Sequence, residues 1–474
     1  MRLVRGQRFL CIFLIPGDDI LKKFLIIGGS DAGISAALRA IELMPDARVS
    51  VITADNYPNF SICGLPFLIS GEVPRWEALA HRTIPEIEKI GIELLPGSQV
   101  RSIDPVAKKI KLITNDHAIA ERSYDRLLIA TGGYSAQPPI TGSDGQGVFF
   151  LRWMEDGLKI LSYLQEREVK TAIVIGGGYI GIEMADALTK RGISVTVVEY
   201  APALLTAMDE DLGNYVRQEL EQKRVRVKVG TEIKEIARRG GKIIVISQKG
   251  DESPADMVII AAGGKPNTGL AIQTGVAVGA TGAINVDRQM KTNLPDIFAA
   301  GDCAEVWHRV LEKNVYSPLG TTAHKQGRVA GENMADGRAR HEGSLGTQVI
   351  AVFDSVVART GLRDGEATAA GFMPFTAHLE TWDHKSYYPG ARKIIIRITG
   401  DTNTGKLLGA QIVGHRYSEV AKRIDILAAA LYHAMKVEDI DKLDLSYTPP
   451  LSTPWDPIQL AAHAWIDKVR NNVL

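Results

Sequence analysis

The chain has 474 residues, too many for one compact core, and is expected to divide into about three domains of ~100–200 residues each. Its 55 basic and 55 acidic residues cancel, which leaves no net field to hold a polyanion and excludes nucleic acid as an expected partner; small molecules fit better. Three cysteines, Cys11, Cys63 and Cys303, are too few and too scattered for a disulfide framework, and no Cys/His spacing resembles a metal site, so a reducing cytoplasm is the expected compartment.

At the N-terminus, Arg2, Arg5 and Arg8 precede the apolar run Phe9 to Pro16, a pattern faintly like a signal peptide. The run meets Gly17-Asp18-Asp19 in place of a small-residue cleavage site and falls far short of the ~20 residues of a membrane span. Residues 1–22 are read as an extension, with a targeting segment as the alternative and no membrane partner expected.

The first regular element is the apolar run Phe24-Leu25-Ile26-Ile27, a buried parallel strand, followed at once by Gly28-Gly29-Ser30-Asp31-Ala32-Gly33 and an Ala-rich helix over Ile34 to Leu43. Strand, glycine turn and helix in this order make a dinucleotide fold: glycine permits the tight turn, and the helix N-terminus offers free N–H groups to a pyrophosphate. Gly28 and Gly33 fit the pattern, while Ser30 replaces its middle glycine. The second strand, Val49 to Ile52, should end at an acid for the adenosine ribose; Thr53 and Ala54 intervene, and the nearest carboxylate is Asp55.

Next comes Asn59-Phe60-Ser61-Ile62-Cys63-Gly64-Leu65-Pro66. No second cysteine occurs before Cys303, so a relay between two neighbouring cysteines is excluded. A helix beginning at Cys63, with Pro66 in its first turn, is expected to set the sulfur at the positive end of a dipole and lower its pKa. Cys303, in a strand-end turn, reads as packing.

Leu127 to Ile129 leads into Ala130-Thr131-Gly132-Gly133, and Val258 to Ile260 into Ala261-Ala262-Gly263-Gly264; small residues there let a backbone lie against a flat cofactor. Between them lies a second, complete fingerprint. The strand Ala172 to Ile175 runs into Gly176-Gly177-Gly178-Tyr179-Ile180-Gly181, a helix is expected over Glu183 to Arg191, and the strand Val195 to Val198 ends at Glu199. Glu199 can accept hydrogen bonds from both ribose hydroxyls and would repel a 2′-phosphate, so NADH is favoured over NADPH.

Thr292-Asn293-Leu294-Pro295-Asp296-Ile297-Phe298-Ala299-Ala300-Gly301-Asp302 then places one carboxylate after a buried strand. This stretch resembles the second FAD motif of the pyridine nucleotide-disulfide oxidoreductase superfamily, which implies that Asp302 bonds the ribityl chain of FAD. The resemblance implies an α/β fold of two Rossmann-like domains plus a C-terminal α+β dimerisation domain. It divides the chain into the extension 1–22, an FAD domain of 23–147 and 281–345, an NADH domain of 148–280 and a dimerisation domain of 346–474.

Cys63 ahead of Gly64-Leu65-Pro66 is similar to the single-cysteine group of that superfamily: coenzyme A-disulfide reductases, NAD(P)H persulfide or polysulfide reductases, and NADH oxidases and peroxidases. Tyr387-Tyr388-Pro389-Gly390 and Leu445-Ser446-Tyr447-Thr448-Pro449 resemble the dimerisation domain of the same group, and imply a homodimer in which Tyr447 and Tyr387 or Tyr388 of one subunit stand near the partner's cysteine, as candidate acids for the departing thiolate. Oxidases of the group often carry a histidine in the first glycine loop; the corresponding place here is Asp31, which argues against peroxide chemistry. Arg39, with Arg82 nearby, is the candidate for coenzyme A phosphates, although Ile41 stands where a second arginine is common.

The expected activity is an FAD-dependent NADH oxidoreductase that reduces a low-molecular-weight disulfide, persulfide or polysulfide, with or without a coenzyme A carrier, through Cys63. Tyr179 is expected to move aside for the nicotinamide. The alternatives are an NADH oxidase or peroxidase in which Cys63 cycles through sulfenic acid, and a flavin-bearing redox sensor or interaction protein.

Overall fold

A computed structural model of the chain describes residues 21–472; most of the expected extension, including Cys11, lies outside the described residues. Five parallel strands form the first sheet, in the order Ile297–Ala299, Arg126–Ile129, Lys23–Ile27, Arg48–Ile52 and Ile92–Leu95. Phe24 to Ile26 and Leu127 to Ile129 are almost free of solvent, as a sheet covered on both faces requires. The short strand Ile297–Ala299 pairs with Leu127 to Ile129 and so returns the chain to the sheet it left about 170 residues earlier in the sequence. The helix Gly320–Met334 then lies against the first helix, Asp31–Leu43. A Cβ on Gly327 or Gly331 would strike the carbonyl of Ala32 or Ala36, so these two helices meet backbone to backbone.

The second sheet repeats the design in the order Arg226–Lys228, Ser194–Val198, Thr171–Ile175, Met257–Ile260 and Val148–Phe150, again parallel. Each parallel sheet carries a three-stranded antiparallel annex, Gln99–Asp104 to Ile119–Ser123 in the first and Ile233–Arg239 to Glu252–Ala255 in the second. Gly133–Ser135 pairs antiparallel with Gly264–Pro266, and this two-stranded ribbon joins the two units.

The C-terminal part is a five-stranded antiparallel sheet in the order Gln348–Val352, Ser355–Gly361, Leu407–His415, Lys393–Asp401 and Pro374–Trp382, covered by the helices Val420–Tyr432 and Pro457–Asn472. Inside it, Arg423 is buried against Asp456 at 3.1 Å and also donates to the carbonyls of Ser418 and Asp383, which satisfies a charge that would otherwise be costly. Among the described residues, no helix is long and apolar enough to cross a membrane.

The strand expectations agree with the observed strands to within a residue or two at each end, but both fingerprint helices begin early. The first starts at Asp31 instead of Ile34, and the second at Tyr179 instead of Glu183. The last glycine of each fingerprint therefore lies inside its helix. A Cβ on Gly33 would strike the Gly28 carbonyl, and one on Gly181 the Gly176 carbonyl, which is why the helix can start so close to its strand.

Candidate active site

The two glycine turns are near copies. Gly28 has φ +118° and Gly176 φ +113°, a region open to glycine, and a side chain on either would run into the carbonyl of Ala130 or Ala261 on the neighbouring strand. Ser30 and Gly178 each cap the following helix with extended backbone. No atom lies within 4 Å of a Cβ built on Gly178, so this corner of the turn has room for a small side chain and the first turn tolerates Ser30.

The strand ends differ. Glu199 folds back onto its turn, where Oε1 accepts from the Ala201 N–H at 2.7 Å and Oε2 accepts from the Gly177 N–H. In the first unit the side chain lying against the corresponding Gly29 is Thr53, which is buried. Asp55 instead closes a local turn, accepting from the Thr53 hydroxyl at 3.0 Å and the Tyr57 N–H at 3.0 Å.

The segment carrying Cys63 is tied to the first turn by the Asn59 N–H, which donates to the Gly29 carbonyl at 2.7 Å. Beneath it Tyr57, Phe60 and Trp76 form an aromatic cluster with centroids 5.6–5.8 Å apart. The expected helix does not begin at Cys63. The residue sits in one 3-10 turn, Ile62–Gly64, and the α-helix that follows, Leu65–Ser70, has only six residues. That helix packs between the second unit's helices Met154–Glu166 and Tyr179–Lys190.

The expected lowering of the thiol pKa is also overturned. Cys63 is solvent-exposed, yet the walls around it leave the thiolate poorly hydrated and push the thiol up; Asp31, Glu183 and Asp302 add to the rise and Arg152 alone opposes it. A short helix contributes little against three carboxylates.

Three residues around the thiol and Asp302, namely Arg152, Glu183 and Tyr316, escape motif reading. Arg152, just ahead of the helix Met154–Glu166, pairs with Asp302, whose own carboxyl is pushed up by burial against the pull of Arg152. The Arg152 Nε and the Tyr316 hydroxyl are buried without partners, and burial holds Tyr316 up at about 12. Glu183, one turn into the helix Tyr179–Lys190, shares a cleft with Pro66 and Phe67 and is pushed up to about 7 by burial, with Asp186 adding. Each comes from a different segment, so no local spacing announces them.

The other expected site residues fall as follows. Ala130, Thr131 and Gly132 follow the strand Arg126–Ile129, and Thr131 donates to the Asn267 carbonyl at 2.7 Å, which ties the two units together beside Gly264. Tyr179 is half-buried at the start of its helix, pushed up by burial against the pull of Arg359 and Arg363. Tyr387, Tyr388 and Tyr447 are exposed on the C-terminal part, and desolvation together with the neighbouring Tyr387 pushes the Tyr447 hydroxyl up. Arg39 is engaged by Glu332 at 2.6 Å and Glu42 at 2.9 Å; Arg82 is exposed. Cys303 is fully buried, with its sulfur 3.4 Å from the carbonyls of Ile129 and Ala300.

The first turn suits a bound FAD. Gly28 and Gly33 let the turn close tightly between strand and helix, the helix at Asp31 presents its N-terminal N–H groups, and buried donors at Arg152 and Tyr316 stand unpaired around Asp302.

Comparison with known proteins agrees with this geometry. Residues 22–327 match the pyridine nucleotide-disulphide oxidoreductase model, and residues 347–457 match the dimerisation domain of those enzymes. The chain is 34% identical to the NAD(P)H coenzyme A polysulfide/persulfide reductase of Pyrococcus horikoshii, over 94% of this chain and 99% of that one. It is 33% identical to an NADH oxidase of Methanocaldococcus jannaschii, over 95% and 100%. The solved structure of a NAD-dependent persulfide reductase from A. fulgidus superposes with a TM-score of 0.91 at 36% identity, over 95% of this chain and 84% of that one. Two dinucleotide turns, an exposed thiol following the first of them and a dimerisation module make this chain a member of the pyridine nucleotide-disulphide oxidoreductase family, flavoenzymes that work with FAD and NAD(P)H.

Proposed function

We propose that this enzyme uses NADH to reduce a low-molecular-weight disulfide, persulfide or polysulfide, of the coenzyme A type, through Cys63. One observation carries the reading. The exposed thiol sits where the two dinucleotide units meet, with Asp302 on the first unit's side, Arg152 and Glu183 on the second unit's side, and the other described cysteine buried. The named activities of the Pyrococcus horikoshii and A. fulgidus relatives support it.

Gly28, Ser30, Gly33, Ala130 to Gly132 and Asp302 would hold FAD; Gly176, Gly178, Gly181, Glu199 and Gly264 would hold NADH, with Tyr179 moving aside for the nicotinamide. FAD, when bound, accepts the hydride and passes its electron pair to oxidised sulfur. The Cys63 thiolate attacks one sulfur of R-S-S-R′, forming Cys63-S-S-R as the S–S bond breaks; R′-S⁻ leaves and takes up a proton. The electron pair from NADH then cleaves the mixed disulfide, returning the Cys63 thiolate and releasing R-SH after a second protonation. One NADH and one proton are consumed per disulfide.

The units divide at 23–147 with 281–345, 148–280 and 346–474, and the last forms a homodimer that brings Tyr387, Tyr388 and Tyr447 toward the partner's thiol. An acceptor thiol chemistry of this kind suits a reducing, cytoplasmic setting.

Converting Cys63 to serine tests the reading. Reduction of coenzyme A disulfide and of a persulfide should stop, while NADH still bleaches the flavin; turnover retained with both acceptors would overturn it. The named activity of the Methanocaldococcus jannaschii relative favours oxygen as a second acceptor, and oxygen uptake faster than any sulfur-acceptor rate would select that reading.

A further inference from the structure

The first fingerprint helix carries a histidine clamp that neither glycine turn requires. Asp31 and Ser35 lie one turn apart on the same face of that helix. His324, on the helix Gly320–Met334, is held between them, with Nδ1 2.8 Å from the Ser35 hydroxyl and Nε2 3.4 Å from Asp31 Oδ1. With the Ser35 hydroxyl donating to Nδ1, the proton-bearing Nε2 points at the carboxylate.

A second histidine, His81, meets His324 edge to face at 6.4 Å between centroids. His81 is joined to the thiol segment, because its N–H donates to the Asn59 carbonyl at 3.0 Å. The cluster thus spans three separate segments and ends within electrostatic reach of Cys63 through Asp31. The His324 side chain is 49% exposed, so solvent can exchange protons with it.

We propose that Asp31, His324 and His81 form the proton store of the thiol site and supply the proton taken up by the thiolate that leaves when Cys63 attacks. The proposal rests on the reduction argued above. In that step the Cys63–S bond forms, the acceptor's S–S bond breaks with its electron pair on R′-S⁻, and the cluster's proton completes R′-SH; solvent recharges the cluster through the exposed His324 ring.

The electrostatics are consistent with storage. Burial raises the Asp31 carboxyl while His324 and His81 pull it down, so acid and histidines are balanced against one another. The remaining charged neighbours are Asp302 with its partner Arg152, Glu183 across the cleft, Arg82 beside His81, and Lys325 and Arg328 on the His324 helix, the last 3.8 Å from Glu42. Tyr447 is a poorer acid for the same task, since desolvation and Tyr387 raise its hydroxyl further.

Two readouts on the flavin-loaded dimer test this. The first is kcat/KM for coenzyme A disulfide at saturating NADH from about pH 6 to 9. The wild type should fall toward high pH. His324→Asn should flatten that fall and reduce the rate at low pH by at least about tenfold, with flavin reduction by NADH unchanged. If His324→Asn loses flavin, His324→Gln, which keeps a polar terminus for Ser35, serves in its place. The second readout is alkylation of reduced Cys63 by iodoacetamide, which needs no acceptor. Asp31→Asn removes a negative charge beside the thiol and should speed alkylation severalfold at fixed pH. A His324 variant whose pH profile superimposes on the wild type, or an Asp31 variant with unchanged alkylation, overturns the proposal. Turnover that survives Cys63→Ser overturns the parent reading instead, and leaves the alkylation result intact.

Discussion

Replacing Glu199 by glutamine separates two jobs of one carboxylate. In the wild type both oxygens are used, Oε1 by the Ala201 N–H at 2.7 Å and Oε2 by the Gly177 N–H. Glutamine offers one acceptor oxygen, so one backbone N–H is left facing an amide NH₂. An unsatisfied donor of this kind costs about 1–3 kcal/mol, which is roughly 5- to 150-fold in any quantity that depends on the closed turn. That cost falls on both nucleotides. The charge acts on one only, since a 2′-phosphate charge about 4 Å from the carboxylate is repelled by about 4 kcal/mol at an effective dielectric constant near 20, before screening by salt. In Glu199→Gln, kcat/KM for NADH should therefore drop by the turn cost, while the loss for NADPH is offset by relief of repulsion, and the preference for NADH should shrink at least about tenfold. Initial rates with each nucleotide at a fixed concentration of coenzyme A disulfide measure this. Equal losses for NADH and NADPH would refute the reasoning, because they would show that Glu199 only closes the glycine turn.

Two further outcomes concern stability. Gly331→Ala should lower the thermal midpoint and the retained flavin, because its Cβ would strike the Ala36 carbonyl where two helices touch, an overpacking worth about 1–3 kcal/mol; Gly365→Ala, in the helix Asp364–Ala369 with open space around it, should be neutral or stabilising by up to about 1 kcal/mol. Glu183 is raised in the folded chain from 4.5 to about 7, so the stability of its neutral form is complete below pH 4.5 and lost as pH rises through about 7, at most about 3 kcal/mol. Denaturant midpoints at about pH 5 and pH 8.5 should show that loss in the wild type and a smaller one in Glu183→Gln; equal losses would remove Glu183 as the cause.

What the sequence makes legible is what local sterics write into it. Gly28 and Gly176 need positive φ, Gly33 and Gly181 need a bare backbone, and apolar runs such as Leu127 to Ile129 have no choice but a covered sheet. The helices start earlier than the apolar pattern predicts for the same steric reason, since the last glycine of each fingerprint is the close contact inside the first turn and does not precede it. Arg152, Glu183, His324 and Tyr316 were not legible. Each is a single residue from a distant segment, and only the packing of the helix Gly320–Met334 on Asp31–Leu43, and of Leu65–Ser70 on Tyr179–Lys190, brings them to one place.

The thiol shows why this matters for chemistry. Read along the chain, Cys63 precedes a proline-bearing helix, and a dipole would make it a ready thiolate. In space the helix is six residues long, and three carboxyl groups face the sulfur. Two of the three, Asp31 and Asp302, are themselves raised by burial, and Glu183 titrates near 7. Every carboxyl that takes up a proton lowers the cost of ionising Cys63, so thiol and acids lose protons as a coupled set and not as independent groups. The reactivity of Cys63 is therefore governed by how many protons its neighbours hold, with Arg152 as the fixed positive charge among them. A site of this kind can hold its nucleophile and its acid in adjacent groups at one pH, which is what cleavage of a disulfide by a single cysteine demands.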